Sequence, residues 1–117
     1  MMKIAIQGTK TFNDYAIFLR AVGTAMSSMA PDDKEFTIFS AGPMQINSFG
    51  MEFSNISERS LKARGIKIKL VKIPPSWIEN NIHDVDYLAY FSKPKESIPP
   101  IVDLAEAKDV EVGVYRY

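Results

Sequence analysis

Lys3-Ile4-Ala5-Ile6-Gln7-Gly8-Thr9-Lys10-Thr11 decides the fold. Lys3 to Gln7 reads as a strand, and Ile4, Ala5 and Ile6 place apolar side chains on both of its faces. A strand that must be covered on both sides belongs inside a parallel sheet with helices above and below. Gly8 and the polar residues after it mark the turn at the strand's carboxyl end. Leu88-Ala89-Tyr90-Phe91, within a strand from Asp86 to Phe91, repeats the two-sided pattern.

Outward from these two strands the periodicity alternates between strand and helix, which predicts a single α/β domain over residues 1–117. After the first turn, Thr11 or Asn13 caps a helix whose apolar stripe is Tyr15, Phe18, Leu19, Val22, Met26 and Met29. Pro31, Asp32 and Asp33 end it. A second strand, Glu35 to Phe39, leads through Ser40 to Ile46 into a helix capped by Asn47 or Ser48. That helix turns Phe49, Phe53, Ile56 and Leu61 inward and stops at Gly65. The third strand is Ile66 to Ile73. Ser76 with Glu79 reads as a capping box for a short turn carrying Trp77 and Ile78. A last helix, about 98–108, tolerates Pro99 and Pro100 in its first turn. Val110 to Tyr115 closes the pattern.

The third strand sets Ile66, Ile68 and Leu70 against Lys67 and Lys69, and the fifth sets its valines against Glu111 and Gly113. One-sided strands with outward lysines suit sheet edges. Right-handed crossovers then give the order 3-2-1-4-5 in a three-layer, Rossmann-like sandwich with a five-stranded parallel sheet.

Composition bounds the function. The chain has 117 residues, 46% hydrophobic and 24% charged, with 14 basic and 14 acidic side chains. A formal net charge of zero argues against general nucleic-acid binding, which needs an excess of cations for phosphate contacts. There is no cysteine, so disulfides, thiolate catalysis and cysteine zinc sites are excluded; a reducing cytoplasm fits. Apolar runs fall short of the roughly 18 residues of a membrane span. The chain starts on a strand-like segment, so no secretory leader is expected.

In such sheets ligands bind beyond the carboxyl ends of the strands, where the winding reverses, here between the first and fourth strands. Gly8-Thr9-Lys10-Thr11, Ser40-Ala41-Gly42-Pro43 and the segment from Ser92 to Ser97 meet there, each leading into a helix start that favours an anion. Gly8 and Gly42 allow close backbone approach. Thr9, Ser40, Ser92, Asn47 and Ser97 offer polar groups, and Lys10, Lys93 and Lys95 offer charge. The set suits a phosphate or nucleotide-like molecule; each part alone is also ordinary turn, cap or solvated lysine. No Walker A loop or complete GxGxxG is present. Phe12 reads as a lid on this site, and Trp77 as core or interface packing. His83, the single histidine, precedes the fourth strand and lies at the wrong edge for catalysis. No metal or cofactor is expected.

Gly8-Thr9-Lys10, Ala41-Gly42 with Asn47 five residues on, Val85 to Phe91, and the closing Ile101 to Val114 resemble the small YspA-like members of the SLOG superfamily along nearly the whole chain. The resemblance implies a Rossmann-like domain that binds nucleotides or nucleotide-derived ligands, in a bacterial or phage cytoplasm. Related lonely-guy enzymes cleave nucleoside monophosphates with a glutamate-bearing Gly-Gly-x-Gly-Thr-x-x-Glu loop. Where that carboxylate would stand, this chain has Asn47 and Ser48. Nucleoside deoxyribosyltransferases place a nucleophilic glutamate early in the helix after their fourth strand, where Asp103 is the nearest acid here. Glycosidic cleavage needs such a carboxylate, so Glu52 and Asp103 are the catalytic candidates and simple binding ranks above catalysis. The third reading is a ligand-free homo-oligomer using Met44, Ile46, Phe49, Met51 and Trp77 as an apolar surface.

Overall fold

Double burial of Ile4, Ala5 and Ile6 is realised at the centre of the sheet, where all three side chains are fully covered. A computed structural model describes residues 2–117. The elements run β1 (Met2–Gly8), α1 (Tyr15–Ser27), β2 (Glu35–Ser40), α2 (Met44–Ala63), β3 (Lys67–Lys72), α3 (Pro75–Asn81), β4 (Tyr87–Ser92), α4 (Pro100–Ala107) and β5 (Glu111–Arg116), with a 3-10 turn at Ile82–Asp84 before β4. The five strands are all parallel and lie in the order β3-β2-β1-β4-β5, the Rossmann-like arrangement that the strand chemistry predicts.

Alternation along the strands divides the core into two layers. Ile4, Ile6, Phe36, Ile38, Ala89 and Phe91 face α1 and α2, packing on Phe18, Val22, Ile46 and Phe49. Ala5, Leu88 and Tyr90 face the other way, onto Ile78, Ile82, Ile101 and Val102. This second helix layer is thin over β2 and β3. There α3 contributes Trp77, stacked on Phe39 with ring centroids 4.4 Å apart. Beyond that pair the sheet face forms an open groove lined by Lys3, Glu35, Thr37, Lys67, Lys69 and Val71.

Several helix starts differ from the sequence expectation. Asp14, not Asn13 or Thr11, caps α1, its carboxylate accepting from the Ile17 amide at 3.1 Å. A cap of this kind is worth about 1 kcal/mol. α2 begins at Met44, so Asn47 lies inside the first turns and neither it nor Ser48 caps the helix. α3 starts after Pro74 without a side-chain cap, so Ser76 and Glu79 form no capping box. α4 starts at Pro100 rather than near Ile98. Prolines at these starts supply fixed extended or first-turn geometry in place of a polar cap.

Two apolar residues read as inward face out. Leu19 is 40% and Ile56 is 65% exposed. Phe18, Ala21, Val22 and Ala25 hold the buried stripe of α1, and Leu19 is turned roughly 100° from Phe18. In α2 the step from Phe53 to Leu61 spans two turns through half-buried Ser57, which carries Ile56 off the face.

Candidate functional site

The carboxyl ends of the strands are knitted together by backbone bonds: the Thr9 amide to Phe91 O, Ala41 to Ile6 O, Ile73 to Ser40 O and Tyr117 to Ser92 O, each 3.0–3.1 Å. The loops after β1, β2 and β4 therefore leave from neighbouring strand ends. What fills the space between them differs from the expectation. The Phe12 amide donates to Thr9 O at 3.2 Å, closing a turn over Thr9-Lys10-Thr11 that swings the ring back onto the sheet. Phe12 is fully buried and stacks on Phe91 with centroids 4.3 Å apart. It is core, not a lid. The aromatic seam continues to Phe49 and Tyr117.

Gly8 is required for packing. A β-carbon there would stand 2.8 Å from Ile46 Cδ1 and 2.9 Å from both Phe91 Cβ and Phe91 O. The missing side chain makes room for α2 and β4. Ile46 and Phe49 are thus buried rather than part of an exposed apolar surface, while Met44 (82% exposed) and Met51 stay outside. Trp77 is half-buried against Phe39.

Tyr117 covers the turn after β1. Its hydroxyl bonds to Thr9 Oγ1 and, at 2.6 Å, to Thr11 Oγ1. Beside it, Arg116 organises the loop after β4. Its Nη1 donates toward Lys93 O and Glu96 O at 2.9 Å and toward Pro94 O and Ser92 Oγ at 3.3 Å. The loop thus turns carbonyl oxygens inward onto a cation, the opposite polarity to an anion cradle. Lys93, Lys95 and Ser97 point to solvent, and Ser97 lies ahead of the Pro99 cap. Sequence reading named Thr11 in the first loop but missed Arg116 and Tyr117, which hold the loops in place. The signal existed, since the order β4-β5 sets Ser92 in register with Arg116.

The loop after β2 is different. Gly42 has φ +86°, a backbone region that costs an L side chain about 1–2 kcal/mol, which accounts for glycine there. Buried Ser40 donates its hydroxyl to Asn47 Oδ1, tying the loop to α2. The Ile46 and Asn47 amides both close on Pro43 O, at 2.9 and 3.1 Å. Among the described residues, no backbone or side-chain acceptor meets the Met44 and Gln45 amides, and α2 has no acid in its first turn. By contrast α1 carries the Asp14 cap and α4 carries Asp103 in its first turn. A helix start without a carboxylate keeps its full preference for an anion.

The catalytic candidates do not enter this arrangement. Glu52 is exposed on α2 near Tyr15, whose phenol is pushed up by burial first and by that carboxylate second. Asp103 is exposed on α4. Tyr90, in β4, is raised by burial, then by Glu96 and Tyr117. His83 sits in the 3-10 turn before β4, 69% exposed and 3.6 Å from Asp84, away from the loops. Among the described residues, no group of three His, Asp or Glu is placed to hold a metal ion, and no helix is long and apolar enough to cross a membrane. Comparison with protein-family models and with curated protein sequences finds no match to the chain.

Proposed function

We propose that this chain binds a small anionic ligand, a nucleotide or nucleotide-derived molecule, at the start of α2, and that it does so without catalysis. The carrying observation is the pair of unmatched amides at Met44 and Gln45, beside Gly42 and the Ser40–Asn47 bond, in a first turn free of acids. A phosphate oxygen satisfies such donors and meets the positive end of the helix. The exposed Met44 side chain flanks the same turn and offers an apolar, adaptable surface to a base. The aromatic seam of Phe12, Phe91 and Tyr117 favours a ligand lying on the loop after β2 over one buried between β1 and β4. The exposed positions of Glu52 and Asp103 favour binding over glycosidic cleavage. Strand order and the Ala41-Gly42…Asn47 loop support kinship with SLOG-like domains within the same reading.

Asn47→Asp tests it. The carboxylate still accepts from Ser40, and near a helix start it adds about 0.3–1 kcal/mol of stability. It also sets a negative charge where the phosphate would lie. The unliganded variant should melt at the same temperature as the parent or slightly above. The parent should be stabilised by about 2.7 kcal/mol at a nucleotide concentration one hundredfold above Kd. The variant should show almost none of that gain. If no member of a panel of nucleotides, cyclic nucleotides and ADP-ribose derivatives raises the parent's melting temperature at millimolar concentration, the proposal fails.

A further inference from the structure

β3 is the outermost strand on its side of the sheet, pairing with β2 alone. Its free edge therefore presents a row of unpaired backbone donors and acceptors. Grooves run along both faces of that edge. On one face, Glu58 and Lys62 of α2 stand beside Ile66, Lys67 and Ile68 around an open hollow. On the other, the thin helix layer leaves the groove of Lys3, Thr37, Lys67, Lys69 and Val71, with Glu35 as its one acid.

The charges in that second groove are unbalanced. Glu35 pairs in register with Lys67 and Asp86 lies against the backbone of Lys3, but Lys69, on the outermost strand, faces Thr37, which carries no charge. Among the described residues none of these lysines is in an ion pair. Lysines on an edge repel another lysine-bearing strand, so they exclude β3 of a second copy while attracting an acidic one. β5, the opposite edge, carries only Glu111 and Arg116 as charged residues.

We propose that β3 is a docking edge for an acidic extended segment of a partner protein, added as a sixth strand. Side chains of an added strand alternate between the two faces. The partner would thus alternate acidic residues, facing Lys67 and Lys69, with apolar residues, facing Ile66 and Ile68. Main-chain pairing supplies affinity and the two grooves supply the choice of sequence, the logic of strand addition. A nucleic acid would meet the lysines but would not use the strand's amides. Slowed amide exchange in β3 on binding therefore separates a peptide from a nucleic acid.

The probe is a fluorescein-labelled synthetic peptide of repeated Glu-Val dipeptides, with a Lys-Val peptide as its reverse. The full chain should bind the Glu-Val peptide saturably, and amide exchange across 67–72 should slow on binding. The double variant Lys67→Glu/Lys69→Glu should bind that peptide about tenfold or more weakly and gain binding to Lys-Val. Equal melting temperatures of parent and variant show that both are folded. Lys67→Gln/Lys69→Gln, with intermediate affinity, is the check should the reversed chain fold poorly. Absence of binding at millimolar peptide overturns the proposal. So does binding without slowed exchange in β3, or displacement of the peptide by a homopolymer RNA at equal charge.

Discussion

Phe12→Ala is expected to destabilise the fold by about 3–5 kcal/mol, the cost of emptying a buried aromatic site. The ring is fully buried, lies 4.3 Å from Phe91 and 5.1 Å from Tyr117 between centroids, and meets Phe49 edge-on at 5.9 Å. Removing it strips partners from three rings at once, and the short turn from Thr9 to Phe12 cannot move inward to refill the hole. A domain of this size has about 5–15 kcal/mol in total, so the variant approaches the limit of folding. Urea denaturation with parallel thermal melts measures the loss. Phe12→Leu, which keeps much of the volume, should lose well under half as much. A loss below about 1 kcal/mol for the alanine variant would show that Phe12 is a surface flap after all.

Gly8→Ala should cost about 1–3 kcal/mol, an overpacking penalty from a single methyl group. Two of the three atoms it would strike, Phe91 Cβ and Phe91 O, are fixed to the central strand β4. Rotating a side chain does not relieve them; β1 and β4 must part, or Ile46 must withdraw and lift the start of α2. The contrast is Gly23 in α1, where a β-carbon meets nothing within 4 Å. Gly23→Ala in a helix interior should add about 0.5–1 kcal/mol through backbone entropy alone. The same substitution at two glycines is thus expected to move stability in opposite directions, which melting curves of the two variants decide. Ligand binding plays no part in either result.

The sheet was legible because strand burial leaves a mark that no neighbour can erase. Ile4-Ala5-Ile6 and Leu88-Ala89-Tyr90-Phe91 are apolar at successive positions, and only central parallel strands need that. Lys67 and Lys69 marked the edge for the same reason. The candidate site was legible only as a set of neighbouring strand ends. Gly8 looks alike in sequence whether it clears space for a phosphate or for Ile46, and only the neighbours it touches separate the two. Phe12, directly after a polar turn, carries no sign that its ring folds back over Phe91. Capping failed for a related reason: Thr11, Asn13 and Asp14 are all competent acceptors, and the turn after Thr9 decides which one faces the helix. Arg116 and Tyr117 were overlooked even though the predicted order sets β5 against β4, because neither residue type at a chain's closing strand signals which distant turn it holds.

The chain's first strand is the sheet's middle one, and this sets an order of assembly. Ile4 meets Ile38 about 35 positions on, but meets Tyr87 only about 80 positions on. Closing the larger loop first costs about 0.8 kcal/mol more in chain entropy. If β1, β2 and β3 come together first, the remaining span from Lys72 to Tyr87 is short and its closure is cheap. Pulse-labelled exchange during refolding should therefore find amides of β2 and β3 protected before those of β4 and β5. Protection appearing first in β4 would mean that the hydrophobic pull of its two-sided burial outruns the connectivity.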